Sequence, residues 1–141
     1  MSDLEVLVTL FDEYRQFQGC ASDLFAAHKF LLERFNHNES VLFIAYKDED
    51  PVGFTQLYPM FSSVSLSRVY VLNDLLVRER ARGQGVATKL MASALYYAKS
   101  LGAVRVSLLA AITNTAAQGG YDATGWKRDE QFQAFHVTFQ G

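Results

Sequence analysis

The chain has 141 residues, half of them apolar and 13% aromatic, with a formal net charge of −2. That length bounds one ordinary domain with a single core, and the composition excludes a disordered tail or a disulfide-stapled miniature. The slightly acidic balance argues against a nucleic-acid partner, the single cysteine Cys20 forms no internal disulfide, and no run reaches the length of a membrane span or shows a signal pattern.

These features read as a soluble cytoplasmic protein with no membrane association. Cys20 itself reads as a small core or boundary residue rather than a nucleophile. In chain order, Ser2 or Asp3 caps a helix whose apolar positions Leu4, Leu7, Leu10, Phe11, Tyr14 and Phe17 follow the helical period. A second helix starts at Ser22-Asp23 and presents Leu24, Phe25, His28, Leu31, Leu32 and Phe35 on one face. Strands follow at about 40–46 and 52–58, and the acidic Asp48-Glu49-Asp50-Pro51 turn between them predicts an antiparallel hairpin. A long apolar strand spans about 68–77.

The strongest helical signal is the face Val86, Leu90, Met91, Ala94, Leu95, Ala98 and Leu101, closed by Gly102. Residues 104–109 read as a buried strand, 113–123 as a helix, and 126–128 with 132–139 as a closing strand pair. No repeat or linker divides the chain. The order α-α-β-β-β-α-β-α-β-β predicts a single α/β domain over 1–141.

Between the long strand and the long helix lies Arg78-Glu79-Arg80-Ala81-Arg82-Gly83-Gln84-Gly85. The first N–H groups of a helix have no internal acceptor and carry the positive end of the dipole. Glycines let an anion approach the main chain closely, so a phosphate there gains several bonds at once. The dipole supplies only about 0.3–2 kcal/mol, leaving the rest to those bonds and to Arg78, Arg80 and Arg82. A P-loop fails here, because Lys89 has neither the preceding glycine nor the following hydroxyl. A dinucleotide fingerprint fails as well: Thr88 stands at the third glycine and Leu108 near the acidic position.

The third pattern, Arg/Gln-x-x-Gly-x-Gly/Ala, fits Arg82-Gly83-Gln84-Gly85-Val86-Ala87. It also fits two residues earlier, from Arg80 to Gly85, but the later register lets Val86 and Ala87 open the apolar helix face. Downstream, Asn114, Ala117, Tyr121, Gly125 and Trp126 fall at Asn-x-x-Ala-x-x-x-Tyr-x-x-x-Gly-aromatic. With these two motifs in order, the chain resembles the GNAT superfamily of N-acetyltransferases over most of its length. The stretches Thr55–Pro59 and Leu72–Leu75 are similar to a bacterial subgroup that acts on small molecules.

The resemblance implies the GNAT (acyl-CoA N-acyltransferase) fold, a mixed central sheet flanked by helices. Relatives usually begin with a strand before the first helix; this chain starts almost inside that helix, so the strand is expected to be missing, by loss or by truncation. Acetyl-CoA is the implied cofactor, with the main chain of Leu76 and Val77 along its pantetheine arm. The turn Arg82, Gly83, Gln84, Gly85, Val86 and Ala87, with Thr88, would hold the pyrophosphate. Asn114 would hold the cofactor or the start of its own helix, and Tyr121 would stand beside the thioester sulfur. The implied partner is a small-molecule amine acceptor; a protein N-acetyltransferase and a non-catalytic acyl-CoA-binding module are the alternatives. A homodimer is a common state in the superfamily.

The implied reaction is attack of a neutral amine on the thioester. Alkylamines are mostly protonated at neutral pH, so a base or a water chain must take a proton. The leaving thiol titrates near about 8.5 and a phenol near about 10, so Tyr121 is a suitable proton donor; the other reading is a packing tyrosine. Asp74 is the candidate base. Asn73-Asp74 interrupts two apolar runs where strand propensity disfavours both residues. A hairpin turn or a bulge with its carboxylate bonded to backbone accounts for the pair equally well. His28, His37 and His136 have no metal-ligand spacing, so no metal is expected. Tyr14, Arg15, Phe17, Gln56, Tyr58 and Phe61 are candidates to line the acceptor pocket.

Overall fold

A computed structural model of the chain describes residues 3–109, 121 and 125–139. Two compact units divide it, residues 1–108 and 109–141. The first unit runs α1 (Asp3–Phe17), α2 (Leu24–Asn36), β1 (Val41–Lys47), β2 (Asp50–Ser62), β3 (Ser67–Val77), a single 3-10 turn (Glu79–Ala81), α3 (Val86–Ser100) and β4 (Val106–Ser107). The four strands lie in the order β1-β2-β3-β4; the first two pairings are antiparallel and β3 pairs β4 in parallel. Among the described residues no strand precedes α1.

Alternation along the strands divides the side chains between two helical layers. Phe54 and Leu76 join Val6, Leu7, Leu10 and Phe11 of α1 and Ala27 and Leu31 of α2 in one core. Phe11 stacks on Phe30 at 5.6 Å and meets Phe54 edge-on at 6.4 Å. On the opposite face Tyr97 of α3 packs edge-on against Phe43 and Tyr70, at 5.9 and 6.2 Å.

Gly53 joins the sheet to α3. It pairs with Val77, and a Cβ built on it would stand 2.6 Å from the Leu76 carbonyl oxygen and 3.4 Å from a Leu90 methyl. Only glycine admits that approach.

Asp23 caps α2 as expected, accepting from Ala26 N at 3.0 Å. The loop before it closes on Asp12, a buried carboxylate of α1. Asp12 accepts from Ser22 Oγ at 2.7 Å, Asp23 N at 2.8 Å and Gln16 Nε2 at 3.0 Å. The Ser22 bond, with help from the other donors, holds its carboxyl below the usual range in spite of burial.

Several expectations are corrected. The predicted face of α2 is mostly solvent-facing: of its members only Leu31 is buried, while Leu24 and Phe25 are exposed, because α1 covers the Ala27–Leu31 side. Phe17, predicted on the core face of α1, is exposed at the helix end, and so is Cys20 in the loop beyond it. The strand expected over 104–109 shrinks to Val106–Ser107, with Val104 and Leu109 exposed.

The reason for that shortening lies in β3. Gln56 pairs with Asp74 and Leu57 with Leu72, so Asn73 is an extra residue without a partner. A bulge bends its strand and ends regular pairing, and β4 keeps only Tyr70 and Val71. In the second unit the predicted helix at 113–123 lies outside the described residues apart from Tyr121. No strand forms over 126–139 among the described residues, and Phe132, Phe135, Val137 and Phe139 are exposed. Their alternation signals a strand, but a strand needs a hydrogen-bonded partner to exist.

Candidate active site

The glycine turn has the geometry of an anion cradle. Arg82 is extended at φ −68°, ψ 150°; Gly83 and Gly85 then take φ of +76° and +80°, and Gly85 caps α3 without a side-chain bond. No atom lies within 4 Å of a Cβ at either glycine, so their backbone torsions are the requirement. Lys89 N is the first helical donor, to Gly85 O at 3.1 Å. Among the described residues, the N–H groups of Gly83, Gln84, Gly85, Val86, Ala87 and Thr88 carry no hydrogen bond. Such a run of unbonded donors at a helix start fits a pyrophosphate.

The three arginines, grouped together in sequence, part company in the fold. Arg78 forks onto Glu13, with Nε at 2.9 Å and Nη2 on the second carboxylate oxygen, and donates through Nη1 to Pro51 O at 2.9 Å. Arg80 binds Asp50 through two bonds of 2.9 and 2.7 Å. Arg82 has no ion pair among the described residues; its Nε donates to Val77 O at 3.1 Å and its guanidinium lies 5.6 Å from the Phe17 ring centre. Two of the three cations are therefore compensated, and Arg82 is the one left for an anion. Lys47, at the hairpin tip, donates to Gln84 Oε1 at 3.0 Å, and Gln84 Nε2 reaches Arg80 O at 3.3 Å.

Upstream of the turn, β3 has parted from β4. Arg78 N donates to Val52 O at 2.7 Å. By the alternation of an antiparallel ladder, the main chain of Leu76 then faces β2, and that of Leu75 and Val77 faces the open side. Of the two residues expected along a pantetheine arm, Val77 lies on that side and Leu76 does not.

The bulge places Asp74 in the interior, 1% exposed, beneath the exposed Asn73. Of the readings open for Asn73-Asp74, the hairpin turn is excluded and the bulge is realised, with its carboxylate bonded to side-chain amides where backbone bonds were expected. Asn73 Nδ2 donates to Asp74 Oδ1 at 2.7 Å, and Gln56 Nε2 donates to Oδ2. Thr55 Oγ1 donates to the Asp74 carbonyl at 2.8 Å and the Tyr14 hydroxyl to the Asn73 carbonyl at 3.2 Å. Burial pushes the Asp74 carboxyl above the ordinary carboxylate range, against the opposing pull of Asn73 and Gln56. Burial followed by the Asp74 charge also pushes up the phenols of Tyr14 and Tyr58.

Tyr14, Gln56 and Tyr58 are thus gathered around Asp74. Phe17 sits instead beside Arg82, and Phe61 lies 5.2 Å from the Arg68 guanidinium at the far end of the β2–β3 hairpin. Sequence reasoning missed Glu13 and Asp50 as the partners of Arg78 and Arg80, and it missed Asn73 as the cover of Asp74. An exposed acidic turn near an arginine cluster was the available signal for Asp50; for Glu13 there was none. In the second unit Tyr121 is helical and half-buried, its ring 6.2 Å from that of Trp126, and the backbone N–H of Trp126 donates to the Tyr121 carbonyl at 3.0 Å. Asn114 lies outside the described residues. No cluster of metal-binding side chains occurs among the described residues, and no helix there is long and apolar enough to cross a membrane.

A mixed sheet between helical layers, with a donor-lined turn after a bulged strand, fits an acyltransferase scaffold. The chain belongs to the Acetyltransferase (GNAT) family, which it matches over residues 5–126, and it is an acetyltransferase of that family. It is 42% identical over 131 residues to the uncharacterized N-acetyltransferase YhfO of Bacillus subtilis, spanning 93% of this chain and 88% of that protein. The crystal structure of a probable acetyltransferase superposes with a TM-score of 0.91 at 40% identity, covering 98% of this chain and 93% of the other. An aminoglycoside N-acetyltransferase in complex with CoA shares the fold at a TM-score of 0.76 and 19% identity, over 94% and 90% of the two chains.

Proposed function

We propose that residues 1–141 work as one cytoplasmic domain that transfers the acetyl group of acetyl-CoA to the amine of a small molecule. One observation carries this reading: a buried carboxylate and a donor-lined anion cradle stand at the two ends of one stretch of β3 that has separated from β4. When bound, acetyl-CoA supplies a thioester whose C–S bond breaks as the acceptor nitrogen forms the new C–N bond. The N–H groups from Gly83 to Thr88 hold the pyrophosphate, and Arg82 adds a charge-assisted bond to it. The main chain of Val77 and Leu75 orients the pantetheine arm as an added strand would.

Asp74 takes the proton that the attacking nitrogen loses. Its raised pKa brings it nearer to an amine's range than an ordinary carboxylate. Tyr121 donates a proton to the departing sulfur, and Asn114 supports the cofactor or its own helix. Holding both reactants together supplies the remaining large part of the acceleration. A small acceptor suits the enclosed surroundings of Asp74, and the aminoglycoside enzyme of the same fold takes a small-molecule acceptor.

The test is thiol release from acetyl-CoA with a panel of small amines and of peptide N-termini. Acceleration by small amines is the expected outcome. Reaction with peptides alone makes the protein a protein N-acetyltransferase; CoA binding without acceleration by any amine makes it an acyl-CoA-binding module.

A further inference from the structure

The end of the sheet away from the glycine turn holds a cleft that the proposed reaction does not use. Its volume is about 350 Å³, and it lies between the start of β1, the β2–β3 hairpin and the last turn of α3. That volume is within the range of small-ligand clefts, about 300–1,000 Å³. Because α3 has 15 residues, roughly 20 Å of helix separates the cleft from the cradle at the first turn. The half-buried Arg68 lines the cleft and forms no ion pair among the described residues. Its guanidinium is held 5.2 Å from the Phe61 ring centre and 5.9 Å from that of Tyr70. Its one hydrogen bond among the described residues is long, 3.4 Å from Nη1 to the Tyr70 hydroxyl. The backbone beneath is fixed on both sides, since Arg68 pairs with Phe61 and its carbonyl accepts from Val104 N at 3.0 Å. Nε and Nη2 are left as a fork for a planar acceptor. Ser40 also lines the cleft, and its buried hydroxyl has no hydrogen-bond partner.

We propose that this cleft binds a small monocarboxylate with an apolar body. The carboxylate sits on the Arg68 fork, and the body lies against Pro59, Leu101 and the Tyr97 ring, which line the same cleft. A turn of Ser40 about χ1 moves its hydroxyl between staggered positions, and a carboxylate oxygen gives that hydroxyl the partner it lacks. The charge of the ligand is limited by α3, whose C-cap Leu101 is part of the wall. A helix C-terminus carries partial negative charge, which opposes a dianion more than a monoanion. One guanidinium bonding a carboxylate outweighs that opposition, because a hydrogen bond to a charged group contributes about 1.5–3 kcal/mol and the helix end about 0.3–1 kcal/mol. The site is independent of the acyl-transfer reading, and its test needs no cofactor.

The test titrates the full chain at pH 7 with benzoate, benzamide and acetate, followed by calorimetry and by amide NMR. Benzoate should bind about tenfold or more tightly than benzamide, which lacks the charge, and more tightly than acetate, which lacks the ring. The amide shifts that benzoate causes should centre on residues 38–41, 68–70 and 101. Arg68→Gln removes the fork and should weaken benzoate binding about tenfold or more, and Ser40→Ala should weaken it about fivefold. If Arg68→Gln does not fold, Arg68→Lys keeps the charge without the fork and should also bind benzoate less tightly. Benzamide or acetate binding as tightly as benzoate overturns the site, as does unchanged benzoate affinity in the Arg68 variant. Shifts confined to residues 83–88 would place the anion on the glycine turn instead and overturn it equally, and so would the absence of any shift with benzoate.

Discussion

Replacing Gly53 with alanine tests whether one close approach on β2 sets the cofactor side of the sheet. The new Cβ would lie 2.6 Å from the Leu76 carbonyl oxygen, where carbon–oxygen contacts normally fall at about 3.3–3.6 Å. Leu90 Cδ1, at 3.4 Å, can turn away within its rotamers. The carbonyl oxygen cannot, because it belongs to the β2–β3 ladder. The strands must therefore part by roughly 0.7–1 Å, and overpacking of this kind costs about 1–3 kcal/mol. For a chain of this size that corresponds to a fall in Tm of about 3–12 °C. The same displacement moves Val77, whose carbonyl anchors Arg82, so the Kd for CoA should rise along with the loss of stability. Circular-dichroism melts of wild type and variant, with and without CoA, measure both effects. A Tm within 1 °C of wild type and an unchanged CoA affinity would falsify the proposed close approach and its coupling to the cradle.

Arg82→Ala should weaken CoA binding about tenfold or more by removing a charge-assisted phosphate bond. Its effect should shrink as salt is raised, and calorimetry at two ionic strengths reads both features. Tyr121→Phe should lower kcat by about a hundredfold with CoA affinity retained; turnover equal to wild type across pH would leave Tyr121 as a packing residue. Asp12→Ala removes the acceptor of three donors, Gln16 within α1 and Ser22 and Asp23 before α2, and should cost about 1–3 kcal/mol. Because the folded pKa of Asp12 is depressed, its contribution is complete above the unfolded value near about 3.9 and is lost as pH falls through the folded value. Urea midpoints across the acid range should therefore fall less steeply in the variant than in the wild type.

The glycine turn and the helix behind it were legible from residues 82–101 alone. Their requirements are local: positive φ at Gly83 and Gly85, free donors at a helix start, and an apolar face at helical spacing. Asp23 as a helix cap was legible on the same grounds, since cap and donor are three residues apart. The β1–β2 hairpin followed from its acidic turn.

Asn73-Asp74 was another matter. Its residue types announced an irregularity in a strand without saying which kind, because turn and bulge differ in what the following residues pair with. Only the register of β3 against β2 made it a bulge and buried the carboxylate. Composition equally could not tell which of Arg78, Arg80 and Arg82 is left without an acidic partner. Glu13, 65 residues from Arg78 in sequence, and Asp50 on the neighbouring hairpin remove two of the three. Local backbone torsion and periodicity encode the scaffold and the position of the glycine turn. The charge left around that turn and the burial of Asp74 depend on which distant segments the fold brings together.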